Sequence, residues 1–149
     1  MQTVITIDRT TLLQRLRLTL AYNADRNPAV AGRYAEVAMT TSDEELASAY
    51  WMHALVWVAS ALKRFGCEVN SQEDGVTLLR LSENSLASLS ATIDKVVASA
   101  VESKIASEWL AVVGDVNSQA RYREKAQGYV EEAIDLCLRR VRPQKKYRQ

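Results

Sequence analysis

At 149 residues, with 48% hydrophobic and 25% charged residues, the chain has the make-up of one domain whose core needs no disulfide staples. Two cysteines, a single histidine and five isolated glycines exclude a C-x-x-C zinc site, a P-loop and a dinucleotide fingerprint. The net charge of +1 is unevenly spread: residues 139–149 hold six basic residues and no acid, leaving 13 basic and 18 acidic residues, net −5, in residues 1–138.

The first eight residues, Met-Gln-Thr-Val-Ile-Thr-Ile-Asp, have neither the basic start nor the sustained apolar run of a secretory signal. Nothing approaches the roughly 18 uninterrupted apolar residues of a membrane span. The expected setting is the cytoplasm, or a virion assembled there, with no membrane partner. The β-branched residues of 2–7 favour a strand. Asp8 or Thr10 can then cap a helix over about 10–24, with Leu12, Leu13, Leu16 and Leu20 inward. Pro28 follows, and residues 29–39 read as a short helix interrupted at Gly32.

The clearest helix spans 42–65. Ser42 and Glu45 form a capping box, Asp43, Glu44 and Glu45 sit at the positive end of the dipole, and Lys63, Arg64 and Gly66 close the other end. Two apolar tracks run along it, Leu46-Tyr50-His53-Trp57-Ala61 and Trp51-Leu55-Val58-Leu62-Phe65. Apolar character on both tracks predicts a central helix, packed on more than one side or shared with a neighbouring subunit.

Residues 67–81 read as a β-hairpin excursion: Asp74-Gly75 signals a turn, and Val76–Leu81 is a strand with which 2–7 can pair. A long helix starts at 82–85, with Leu86, Leu89, Ile93, Val96, Val97, Val101, Ile105, Trp109 and Val112 as its apolar positions. Gly114-Asp115 breaks and recaps the pattern. The last helix runs over about 116–141, with Ala126, Val130, Ile134, Cys137, Leu138 and Val141 inward, and Pro143 ends it. The predicted fold is therefore all-α: a helical bundle of about four main helices with a minor β-hairpin excursion and an extended basic C-terminal tail. Residues 1–138 form the single domain and 139–149 the arm.

Catalytic and ligand-binding readings are weaker than packing at every position. His53 would have to serve any triad or Cys–His pair, but it sits mid-helix on an apolar track. An Arg-x4–6-His nuclease motif is absent, since Leu46, Ala47 and Ser48 occupy the positions five to seven residues before it. Asp43, Glu44 and Glu45 are explained by capping. Glu131, Glu132 and Asp135 include an i,i+4 pair but no Glu-x-x-His companion, so solvated helix faces account for them better than a di-metal site. Cys67 and Cys137 read as reduced, buried thiols, and Trp51, Trp57 and Trp109 as packing residues. Arg121, Arg123 and Lys125 form a second basic cluster, diluted by Asp115 and Glu124. No catalytic residue, cofactor or metal is expected.

The arm carries the functional signal. Arg139, Arg140, Arg142, Lys145, Lys146 and Arg148 are the candidate partner-binding residues. Three readings stay open: a solubilising end, a phosphate-neutralising contact with nucleic acid, and docking onto an acidic neighbouring subunit. The run Thr41-Ser-Asp-Glu-Glu-Leu-Ala-Ser-Ala-Tyr-Trp-Met-His-Ala-Leu-Val-Trp-Val58, the helices after it and the basic C-terminus resemble, over about residues 40–149, the small helical connector or neck proteins of tailed bacteriophages. That resemblance implies a non-catalytic helical bundle forming a ring between portal and tail, with terminal arms reaching adjoining subunits. It carries no residue-level role. The expectation is thus a homo-oligomeric assembly protein, with portal or tail components as acidic partners and nucleic acid as the alternative.

Overall fold

The computed structural model describes residues 3–26, 44–71, 76–81 and 90–138. In chain order these form strand β1 (Thr3–Asp8), helix α1 (Arg9–Arg26), helix α2 (Glu44–Ala61), a 3-10 turn (Lys63–Phe65), strands β2 (Glu68–Ser71) and β3 (Val76–Leu81), and helices α3 (Ser90–Val113) and α4 (Val116–Leu138). The helical bundle with a small β element is as the sequence predicts. The expectations for residues 29–39, for the helix start at 82–89, for Val141 and for the arm lie outside the described residues.

The β element is a three-stranded antiparallel sheet in the order β1-β3-β2. β1 pairs along its whole length with β3, from Thr3 opposite Leu81 to Asp8 opposite Val76, and Val69 of β2 also faces Leu79. Ile5 and Ile7, two residues apart and so on one face, are both buried, and β1 lies against α3. The strand passes directly into α1, whose first turn is capped by Asp8. One carboxyl oxygen accepts from the Thr10 and Thr11 amides (3.0 and 3.4 Å), and the other from the Thr11 hydroxyl (2.9 Å). Leu12, Leu13, Leu16 and Leu20 point inward as their spacing predicts.

α3 is the central helix. Ile93, Val97, Val101, Ile105, Trp109 and Leu110 are buried, and so are Ala100, Ser103, Ala106 and Ser107 around the rest of its circumference. It touches α1, α2, α4 and β1, with α4 as its most extensive neighbour. The Arg15 guanidinium reaches it from α1, donating to Glu102 Oε2 from both Nε (3.0 Å) and Nη2 (2.6 Å). Each fully buried Leu or Ile contributes about 1.5–3 kcal/mol through apolar surface removed from water.

This corrects the expected place of helix 42–65. Trp51, Leu55, Val58, Leu62 and Phe65 are buried, but on the other track Leu46 is 38% exposed, Tyr50, Trp57 and Ala61 are half-buried, and His53 faces out. The first track packs fully on the bundle, the second only partly, and a third face with Met52 and Val56 points outward. Val112 and Leu138, also expected inward, are exposed at 61% and 51%.

Gly114 joins α3 to α4. At φ 85° it takes a left-handed conformation, and its amide and that of Asp115 both donate to the Leu110 carbonyl at 3.1 Å. Asp115 then caps α4, accepting from the Ser118 amide at 3.2 Å. Gly128, by contrast, is an ordinary helical position with nothing within 4 Å of an added Cβ.

Gly128→Ala should therefore raise stability by about 0.5–1 kcal/mol, and Gly114→Ala should lower it through backbone strain, in denaturant unfolding. The hydrogen bonds from Thr11 hold the Asp8 carboxyl below its ordinary value of 3.8. A depressed folded value means that its contribution is complete above 3.8 and is lost as the pH falls through the folded value. The melting-temperature gap between the native chain and Asp8→Ala should be open at neutral pH and narrow in acid.

Candidate interaction surface

The residues that the sequence offers for chemistry fall into separate places. His53 projects from α2 toward α3, with its Nδ1 3.6 Å from Glu108 Oε2 and its side chain 66% exposed. Lys104, one turn before Glu108 on α3, lies 3.7 Å from Glu108 Oε1 and 5.1 Å from the centroid of the Trp57 ring. Tyr50 completes the group, its ring tilted 54° to the imidazole at 6.5 Å, and its hydroxyl is pushed up from its ordinary value by burial and then by the Glu108 charge. Glu108 and Lys104 carry no sequence signal beyond their i,i+4 spacing, and only the packing of α2 on α3 brings them to His53.

This is a surface-edge imidazole in a seam of charge and aromatic faces. The group includes an acid–base pair but no serine, threonine or cysteine among its described contacts. A cleft of about 190 Å³ lies elsewhere, lined by Arg9, Thr10, Leu13, Gln14 and Arg17 of α1. There the Arg9 guanidinium donates to Ser48 Oγ of α2, tying the two helices together.

The other candidates behave as packing or solvated groups. Trp51 and Trp109 are buried and Trp57 half-buried. Glu131, Glu132 and Asp135 are exposed on the last turns of α4, with Glu131 accepting from Gln127 Nε2 at 3.4 Å. Arg121, Arg123 and Lys125 are exposed on its first half, and Lys125 stands 5.1 Å from the Tyr122 ring centroid. Among the described residues no group of three or more His, Cys, Asp or Glu could hold a metal ion, and no helix is long and apolar enough to cross a membrane. Arg139, Arg140, Arg142, Lys145, Lys146 and Arg148 lie outside the described residues.

Outward apolar side chains are what remain: Leu18 and Tyr22 on α1, Met52 and Val56 on α2, and Val112 and Val116 on either side of Gly114. A scatter of exposed apolar residues is ordinary, but a charge-free helix face is not. From Leu46 to Leu62 the chain contains no Asp, Glu, Lys or Arg. No family model, curated protein or solved structure matches the chain.

Cys67 and Cys137 are both free and buried, and burial pushes each thiol up to about 11. The thiolate is the reactive form, so neither should be labelled by a disulfide reagent at mildly alkaline pH in the folded protein. Both should react when urea unfolds it; rapid labelling of the folded chain would contradict their burial.

Proposed function

We propose that this chain is a non-enzymatic assembly protein, cytoplasmic or built into a virion, that associates with copies of itself and docks through its basic C-terminal arm. Its most concrete form is a head–tail connector of a tailed bacteriophage. The observation that carries this reading is the charge division: a body of net −5 followed by six basic residues without an acid. The arm follows directly on α4, whose last turns hold Glu131, Glu132 and Asp135 in exposed positions. Arg139, Arg140, Arg142, Lys145, Lys146 and Arg148 of one copy find a charge-complementary surface there on the next, or on an acidic partner subunit. Single exposed pairs contribute little, so docking of this kind depends on several charges acting together. Salt screens them, the Debye length falling from about 10 Å at 0.1 M to about 3 Å at 1 M.

The same six cations favour a second reading, contact with nucleic-acid phosphates. Neutralising about six phosphates would cost about a thousandfold in affinity between 50 and 200 mM salt.

Light scattering on the full chain and on a chain ending at Leu138 separates these. Assembly through the arm predicts a larger mass for the full chain, reduced by removing the arm or by high salt. Equal masses with and without the arm would overturn it. Steeply salt-dependent DNA or RNA binding, lost with the arm, would favour the second reading.

A further inference from the structure

The outer side of α2 is built as its own complement. Glu45, Ala49, Met52, Val56, Ser60 and Lys63 follow one another at intervals of three and four residues, and all six are exposed. The first five lie on α2 and Lys63 on the 3-10 turn after it; from Glu45 to Ser60 they cover 16 residues, roughly 23 Å of helix. The stripe starts with an acid, ends with a base and has no formal charge between, and at its centre Met52 is 43% and Val56 54% exposed. Solvent-facing helix surfaces ordinarily carry charge at such positions.

We infer that this stripe seats the same stripe of a second copy of the chain, antiparallel across a two-fold axis near residue 54. In that arrangement residues equally far on either side of 54 face each other. Glu45 of each copy meets Lys63 of the other, and Met52 meets Val56. Toward the ends, exposed Ala49 of one copy meets the edge of the other copy's stripe at Ala59, a small residue half-buried against its own core, so that the helices can approach closely. A parallel arrangement would set Glu45 on Glu45 and Lys63 on Lys63, so charge selects the antiparallel one. The helix dipoles also oppose each other favourably. A surface complementary to itself is the requirement of a two-fold contact, and this identifies the occupant as another copy. The His53–Glu108–Lys104 group borders the stripe and supplies a polar rim.

One helix stripe is smaller than the roughly 800 Å² per partner of a standard interface, so the dimer is a concentration-dependent one. The inference shares with the proposed function the premise that copies associate, but it uses α2 and not the arm.

The test is sedimentation equilibrium of the full chain over a range of concentrations at low and moderate salt. Native protein should show a reversible step of two-fold mass. Val56→Glu should weaken that step by about tenfold or more, because it sets a charge in an apolar contact. Glu45→Lys and Lys63→Glu should each weaken it, and the double variant should restore it. All the substituted positions are exposed, and unchanged far-ultraviolet circular dichroism would show the fold intact. Restoration is an outcome that simple destabilisation cannot give. A two-fold step unaffected by Val56→Glu, no such step at any concentration, or a double variant no better than the single ones would overturn the pairing. Arm-dependent mass with none of the α2 effects would leave the assembly reading standing and this pairing refuted. Loss of mass on Val56→Glu, with removal of the arm changing nothing, would do the reverse.

Discussion

Burial of α3 is the constraint on which the rest of this fold depends. A helix enclosed on several sides needs side chains that neither clash with close neighbours nor leave polar atoms without partners. Ala100, Ser103, Ala106 and Ser107 answer the first need by being small, and α4 is the most extensive neighbour of α3. A serine in a helix can also satisfy its hydroxyl at a carbonyl of the preceding turn. The large residues Ile93, Val97, Ile105 and Trp109 are buried in the core. α1, α2 and the sheet are arranged around this helix, and each presents to it the face that its own sequence makes apolar.

That organisation explains how much was legible in the chain. The Leu12-Leu13-Leu16-Leu20 stripe, the Asp8 cap and the breaks at Gly66 and Gly114 are local signals, and they could be read directly. The strand at β1 was legible as a strand. Its pairing with β3 was only permitted by the sequence, because register is set by contacts 68 to 78 residues apart. Centrality was assigned to the wrong helix for a physical reason. α2 has no charged residue after Glu45 and carries two tryptophans and a tyrosine, whereas α3 carries Asp94, Lys95, Glu102, Lys104 and Glu108. Charges on the margins of a helix lower its hydropathy without preventing the rest of it from being enclosed.

The same reasoning applies to the surface. The companions of His53, Glu108 and Lys104, come to it only through the packing of α2 on α3. The two apolar tracks of helix 42–65 predict packing on more than one side or sharing with a neighbouring subunit. The structure separates the helix into a buried track, a half-buried seam against α3 and an outward stripe. Sequence periodicity shows that a face is apolar; it does not show what lies against it.

The sheet order has a consequence for the chain as it is made. β1 is synthesised before β3, its partner strand among the described residues, so Thr3 waits for Leu81. At about 5–20 residues per second, that leaves an unpaired β-branched segment outside the ribosome for roughly 4 to 16 seconds. α1 and α2 are complete by then, while the helix that buries the sheet has yet to emerge. Until β3 emerges, β1 presents unpaired backbone groups of the kind that template wrong pairing.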